Sequence, residues 1–253
     1  MKNICIIQAR TSSTRLPNKV LLPLEHKTVL EHVVLRAKRA KLINEIIIAT
    51  TKDKEDTKIV SLCEKNRYRI FRGSRDNVLD RYYQAIKLEN CDNVIRITSD
   101  CPVIDPKIID AVIKLHIIKK ADYTGIDEST VPDGEDVEVF TLNALKESWK
   151  NAKLASELEH VTLYIKNNPD KFKIIVWKNN QNLGNKRWTL DEKNDYEFLK
   201  IIYKNLYPKN KYFGIKEIVE FVKQNPEIEK INHHINRNEG LKKSLKEDRI
   251  VKE

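Results

Sequence analysis

No stretch of the 253 residues approaches the ~18 consecutive apolar residues that a membrane span needs. Met1 to Ala9 is a short apolar run without a small-residue cleavage site, so it reads as a buried strand rather than a signal peptide. A cytoplasmic chain with no membrane partner is the expectation. Cysteine is sparse: Cys5, Cys63, Cys91 and Cys101 are scattered and none forms a C-x-x-C pair. That argues against a disulfide framework or a zinc site and for free thiols. Internal repeats and flexible linkers are also missing. Hydrophobic residues make up 40% against 33% charged, which excludes a disordered chain. A chain this long buries a sizeable core without covalent staples.

Positive charge is in excess. Lys and Arg number 47 against 37 Asp and Glu, a net charge of +10. Nucleic-acid binding is the first idea such a balance raises. The sequence, however, has no recognisable helix-turn-helix, aromatic RNA-binding strand or zinc pattern. No aromatic platform interleaves with the lysines. A surface that draws in small anions accounts for the charge equally well, and no nucleic-acid partner is expected.

Residues 4–9, 45–50, 68–71 and 93–98 are apolar runs of strand length, separated by amphipathic helical patterns. Thr28 with Glu31 is a capping box at the head of one helix. Asp76 is the expected cap of a helix whose inner face carries Val78, Leu79, Tyr82, Ala85 and Ile86. Pro106 suits the first turn of another, over 107–119. Strands alternating with helices predict an α/β fold with a mostly parallel sheet. Its ligands belong at the C-terminal strand edge, where the loops after the first and fourth strands fall. Beyond about residue 120 the pattern changes. Residues 136–141 alternate like a half-exposed strand, 142–151 and 156–167 are helical, and 172–177 and 187–190 are strands. Residues 194–206 and 214–224 are again helical. Residues 1–237 are expected as one domain, with a nucleotide-binding half (1–120) and an acceptor-binding half (121–237). Residues 238–253 form a charged and loosely held tail.

The most informative segment runs from Gln8 to Val20. Arg10, Arg15 and Lys19 lie in a hydroxyl-rich loop directly after a buried strand. Arg forks grip two oxygens, Lys supplies a point charge, and hydroxyls and backbone amides fill in, as a polyphosphate requires. A solvated turn is the bland alternative, and the position at a strand end weighs against it.

Here the sequence resembles the cytidylyltransferases related to spore-coat polysaccharide biosynthesis protein F, relatives of the CMP-Kdo and CMP-acylneuraminate synthetases. The resemblance rests on Q-A-R-x-x-S-T-R-L-P-x-K-V (residues 8–20), on Phe71-Arg72-Gly73-Ser74 and on Asn77–Tyr82. It continues through Arg96-Ile97-Thr98-Ser99-Asp100-Cys101-Pro102 to Pro106, Pro132-Asp133-Gly134, Val137–Phe140, Glu159-His160-Val161-Thr162, and Arg187–Glu192 with Asp195. It implies a nucleotide-diphospho-sugar transferase fold (GT-A, Rossmann-like), with a mixed, mostly parallel sheet flanked by helices. It implies transfer of a nucleoside monophosphate, from CTP by the family's usage with GTP left open, to a sugar, sugar acid or phosphorylated acceptor, with loss of pyrophosphate. Cell-surface polysaccharide synthesis is the implied setting.

By the same resemblance Arg10, Arg15 and Lys19 hold the triphosphate, and Asp100 and Asp191 hold Mg²⁺. Arg15, Lys19 and Asp100 become the catalytic set. Gln8, Ala9, Ser13 and Thr98 join the nucleotide contacts, and Arg72, Gly73 and Ser74 pass the base. Asp133, Gly134, Glu138, His160 and Arg187 are candidates for the acceptor. Glu138 and His160 have the chemistry to bind hydroxyls or take a proton, although a structural role for His160 is equally open. Asp105 and Asp195 read as helix caps. Arg81 and Arg96 either serve the nucleotide or pair with acids. Ser12 and Asn18 stand where the family usually has glycine, and Asn tolerates left-handed backbone. A homodimer is left open. The alternatives are a glycosyltransferase using a nucleotide sugar, which usually carries D-x-D where this chain has Asp100-Cys101-Pro102, and a non-catalytic nucleic-acid-binding module.

Overall fold

The first strand, β1 (Asn3–Gln8), is covered on both faces. Cys5 and Ile7 enter one core and Ile4 and Ile6 another, so a continuous apolar run is what its place demands. The computed structural model describes residues 1–251. After β1 and its polar loop, β2 (Pro23–Leu24) and β3 (Lys27–Thr28) make a small antiparallel ribbon. Helix α1 (Val29–Ala37) starts at the predicted Thr28–Glu31 capping box. Then follow β4 (Glu45–Thr51), α2 (Thr57–Asn66), β5 (Arg69–Gly73), α3 (Val78–Ile86), β6 (Asn93–Thr98) and α4 (Pro106–Lys119). The second half adds β7 (Tyr123–Ile126), β8 (Glu138–Thr141), α5 (Leu142–Asn151), α6 (Ala155–Glu159), α7 (Leu163–Asn167) and β9 (Ile174–Trp177). Three further helices, α8 (Lys193–Leu206), α9 (Ile215–Gln224) and α10 (Glu239–Lys246), complete the described chain.

Seven strands form one sheet in the order β5-β4-β1-β6-β8-β7-β9. All pairs are parallel except those of β8, which runs antiparallel to β6 and to β7. This is the mixed, mostly parallel sheet flanked by helices that the sequence pattern implied. Helices α1, α2 and α4 cover one face. Helices α3, α5 and α7 cover the other. A third cluster, built by α8 and α9 around Trp188, lies beside the C-terminal strand edge. Each fully buried Ile, Leu or Val contributes about 1.5–3 kcal/mol to holding the sheet rigid. All four cysteines are free and buried. Among the described residues no helix is long and apolar enough to cross a membrane.

Several local expectations are corrected. Residues 138–140 are buried on both faces rather than half-exposed, because β8 lies inside the sheet with Glu138 neutralised there. Strand β7 carries no clear pattern: it is four residues long, contains Gly125, and takes its conformation from β8 and β9. Residues 187–190 are not a strand; a single bridge joins Arg187 to Asp133. Asn77, not Asp76, caps α3, its side chain accepting from Asp80 N at 2.8 Å. The expected helix over 156–167 is broken into α6 and α7 at Val161, a fully buried β-branched residue at φ 46°. The presumed loose tail is largely ordered. Asp248 accepts from the backbone and hydroxyl of Ser156 (3.0 and 2.6 Å), and Ser244 donates to Glu159 (2.7 Å). Residues 252–253 of that segment lie outside the described residues. Asp105 caps α4 through Lys107 N, as expected.

Candidate active site

At the C-terminal edge of β1 and β6 lies a cavity of about 710 Å³. Its floor is the loop after β1. Thr11 fixes that loop by donating its backbone N–H and its hydroxyl to Asp56 Oδ1, both at 2.7 Å, while Thr51 donates to Asp56 Oδ2 at 2.6 Å. Asp56 is buried, and burial opposes its ionisation; the hydrogen bonds from Thr51 and Thr11 prevail and hold its carboxyl below the usual value. Sequence reasoning missed Asp56, which precedes α2 like any solvated turn acid. Asn18 sits at φ 58°, so the residue standing in a glycine position adopts the left-handed geometry. Ser12 has no positive φ and needs no glycine.

Gln8, Ala9, Arg10, Ser13, Arg15, Lys19, Thr98, Asp100, Asp191 and His160 all line this cavity. Four elements far apart in sequence thus converge on one space. Lys19 Nζ lies between two carboxylates, 2.7 Å from Asp100 Oδ2 and 2.8 Å from Asp191 Oδ1. Burial works against the ammonium, but the Asp100 and Asp191 charges more than offset it and raise its pKa. Burial likewise opposes ionisation of Asp100, and Lys19 prevails, holding the carboxyl at about 2. Arg15 lies 3.0 Å from Asp191 and also faces Glu192 (3.8 Å) and Glu239 (3.5 Å), the first residue of α10. Arg10 is exposed and has no ion pair among the described residues.

The fit to a divalent cation is good. Asp100 and Asp191 are hard oxygen donors held on either side of one point charge, which suits an ion that takes one or two carboxylates plus phosphate oxygens and water. No cluster of three or more ligating side chains exists among the described residues, so phosphates and water must complete the shell.

Seven sequence candidates lie away from the cavity wall. Arg187 is buried, with Nε 2.8 Å from Asp195 Oδ1, Nη2 2.9 Å from Asp195 Oδ2 and Nη1 2.7 Å from Asp133. Asp195 also accepts from the backbone N–H of Asp191 and Glu192, both at 2.9 Å, which makes it the expected helix cap and fixes Asp191 in place. Gly134 packs its α-carbon against the backbone of Trp188 and Thr189 at φ 108°. Burial and Asp136 push Asp133 up to about 7, against Arg237 and Arg187. Asp133, Gly134 and Arg187 thus stand behind Asp191 and do not line this cavity. Arg72 donates to the carbonyls of Thr51 and Asp53, both at 3.0 Å. Ser74 accepts from Asn77 N and, through its carbonyl, from Arg81 Nη1. A Cβ on Gly73 would come 2.9 Å from Arg81 Cγ. Arg72, Gly73 and Ser74 are thus backing residues, and Arg81 is the group they present to the cavity.

The fourth acceptor candidate, Glu138, is saturated. It takes Arg96 Nη1 (2.5 Å), Tyr123 Oη (2.6 Å), Thr162 Oγ1 (2.8 Å) and Lys166 Nζ (2.7 Å). Burial opposes its charge, and Lys166 and Arg96 nevertheless hold it well below the carboxylate range. A carboxylate so held takes no proton from a substrate. His160 does reach the cavity. Burial lowers its pKa, against the nearby Glu159 charge, so the ring is neutral near pH 7, and its Nε2 is buried with no hydrogen-bond partner, Glu159 Oε2 lying 3.8 Å away. The strained φ at Val161 turns His160 to the cavity and Thr162 to Glu138, the kind of local cost that persists where the surroundings over-determine it.

A family model described as cytidylyltransferase matches residues 4–236. The chain belongs to the cytidylyltransferase family. This cytidylyltransferase is 33% identical to the spore coat polysaccharide biosynthesis protein SpsF of Bacillus subtilis, over 88% of this chain and 94% of that protein. It is 39% identical to an uncharacterised protein of Methanocaldococcus jannaschii, over 93% of this chain and 96% of that one. Among solved structures, a cytidylyltransferase from Leptospira borgpetersenii superposes with a TM-score of 0.85 at 34% identity, covering 94% of this chain and all of that one. The fold also matches a CMP:2-keto-3-deoxy-manno-octonic acid synthetase complexed with CTP, at TM-score 0.62 and 15% identity, over 81% of this chain and 99% of that one. The family makes this cytidylyltransferase a nucleotidyltransferase and decides against glycosyl transfer.

Proposed function

We propose that the chain transfers the CMP unit of CTP to an oxygen of a small acceptor and releases pyrophosphate. The observation that carries this reading is the Lys19 ammonium between Asp100 and Asp191 at the mouth of a cavity lined by Arg10 and Arg15. Cations fixed beside paired carboxylates suit a metal-bound triphosphate. Arg10, Arg15 and Lys19 bind phosphate oxygens and neutralise the charge that builds on the leaving pyrophosphate, with Ser13 and the loop amides adding neutral donors. Asp100 and Asp191 are the groups for Mg²⁺, which when bound supplies further neutralisation of that charge. Gln8, Ala9 and Thr98 line the strand-end wall and Arg81 the side backed by Gly73. On this reading the nucleotide lies above β1 and the acceptor towards His160.

Neutral His160 is suited to accept the proton of a hydroxyl acceptor; a phosphate monoester is already anionic and needs no base. Products of this class serve surface-polysaccharide synthesis, as the name of the Bacillus relative indicates for that protein. Pyrophosphate release measured across the four nucleoside triphosphates, with sugar acids and sugar phosphates as acceptors, tests the reading. Release with CTP, abolished by EDTA and restored by Mg²⁺, is expected. Turnover that survives EDTA, or no preference for CTP, overturns it.

A further inference from the structure

Helix α10 forms one wall of the cavity, and it lies beyond the stretch that the cytidylyltransferase model matches. Glu239, Gly240, Lys243, Ser244 and Glu247 line the space. Their spacing sets them on one helical face. Leu245 is left exposed, and α10 buries none of its residues. A surface helix ordinarily turns its apolar stripe inward. Here a polar face meets the cavity, so apolar packing is not what keeps α10 in place.

Both flanks of the helix are tied down. Before it, Arg237 donates to Asp136 Oδ1 (2.6 Å) and to the carbonyls of Glu128 and Val131 (3.0 and 3.1 Å). After it, Asp248 holds Ser156, and main-chain bonds join Ala155 N to Arg249 O (2.9 Å) and Val251 N to Lys153 O (2.8 Å). Between these anchors α10 makes two side-chain contacts with the other walls among the described residues. Glu239 faces Arg15 at 3.5 Å, at the triphosphate end. Ser244 donates to Glu159 Oε2 at 2.7 Å, beside His160. The segment is a strap, fixed at both ends and held in the middle by an exposed ion pair and one hydrogen bond. Such contacts contribute little to stability, which puts the strap among the elements that open locally.

The ion pair at its head conflicts with the ligand. Arg15 is shared among Asp191, Glu192 and Glu239. A triphosphate that takes the Arg15 fork brings several negative charges next to the Glu239 carboxylate, and like charges at that range repel. Triphosphate and seated strap therefore compete for Arg15. We propose that α10 is a strap that CTP displaces: the triphosphate takes Arg15 from Glu239, the helix loosens between its anchors, and Ser244 releases Glu159 at the acceptor end. The inference rests on the nucleotidyl-transfer reading of the same cavity. Nucleotide then enters first, and its binding opens the acceptor end. The basis is differential affinity. CTP prefers the released strap, so anything that loosens the strap strengthens CTP binding.

Hydrogen exchange of the full chain in Mg²⁺, followed by mass spectrometry, reads the strap. The amides of residues 242–247 are expected to be protected in the chain alone, and saturating CTP speeds their exchange by at least about fivefold. CMP, which lacks the phosphates that Arg15 takes, leaves them protected. Glu239→Gln and Ser244→Ala each speed that exchange without nucleotide. Each also strengthens CTP binding, measured calorimetrically, by about two- to fivefold, the size of one exposed pair or hydrogen bond. Neither side chain is buried, so both variants keep the fold. Ser244 contacts none of Arg10, Arg15 and Lys19, so its effect reports the strap and not the charge beside Arg15. Three results overturn the inference: amides of 242–247 unprotected in the chain alone, exchange unchanged or slowed by saturating CTP, or a Ser244→Ala variant that binds CTP no more tightly than wild type. Failure of the wild-type chain to bind CTP overturns the nucleotidyl-transfer reading instead.

Discussion

Two acid–cation clusters meet at Asp191 and share one composition, a basic side chain held by two or more aspartates. In one, Lys19 joins Asp100 and Asp191. In the other, Arg187 joins Asp133, Asp191 and Asp195. Exposure separates them. The side chains of Arg187 and Asp195 are 5% and 0% exposed, whereas Asp100 and Asp191 are each 22% exposed to the cavity. Removing a buried partner strands a charge in a medium that cannot solvate it. At the cavity edge water and ligands replace a partner easily, so Lys19 is free to leave its acids for phosphate. The same residue types therefore make a scaffold on one side of Asp191 and a reactive site on the other.

The largest effect expected from breaking this comparison is at the buried cluster. Arg187→Ala leaves Asp195 without its fork and lowers unfolding stability by about 3–5 kcal/mol, read from the denaturant midpoint. A midpoint equal to wild type would show that the two clusters do not differ in kind. Lys19→Ala should act in the opposite sense. It lowers kcat/KM by a hundredfold or more, about 3–4 kcal/mol of transition-state stabilisation, and moves the unfolding midpoint by less than Arg187→Ala does, because Asp100 and Asp191 stay open to water in the cavity. Steady-state pyrophosphate release beside thermal melts measures both, and a Lys19 variant that unfolds would reverse its assignment.

A third test separates scaffold from site by pH. Burial lowers His32 and His116 to about 4, well below their ordinary 6.5, and neither lines the cavity. Both rings fold neutral: His116 sits between Thr124 Oγ1 and Asn93 Oδ1 (3.0 and 3.1 Å), and His32 bonds the Leu24 carbonyl (2.9 Å). For a base with a depressed folded pKa, the unfolded chain binds the extra proton. Their stabilisation is therefore complete above about pH 6.5 and is lost as pH falls towards 4, by up to about 3 kcal/mol each. Urea midpoints from pH 7 to 4.5 check this, and replacing both by Gln should flatten the profile. A profile equally steep without them would place the titration elsewhere. The smallest effect belongs to a contact in neither cluster. Trp149 stacks on Tyr83 with centroids 4.3 Å apart, and Trp149→Ala should cost about 1 kcal/mol with turnover unaffected. A change in turnover would connect that surface to the cavity.

The sequence by itself determined the sheet's first four strands and the cationic loop. Runs such as Ile4–Ile7 and Ile46–Ile48 have one physical use, a strand buried on both faces, and Arg10, Arg15 and Lys19 are close enough along the chain to share a loop whatever the rest does. It also located Asp100 and Asp191, through motifs that resemblance carried. Tertiary structure decided what no local signal holds. β7 exists because β8 and β9 flank it, and Glu138 is buried because Arg96 and Lys166 reach it from β6 and α7. Arg187 and Asp133 stand in site motifs in one dimension, and only the packed chain pairs them behind Asp191. The reason is that burial and charge pairing are sums over neighbours distant in the chain. An aspartate beside a strand end has the same local sequence whether its partner is a buried arginine or an exchangeable lysine, and only the packed structure supplies the partner.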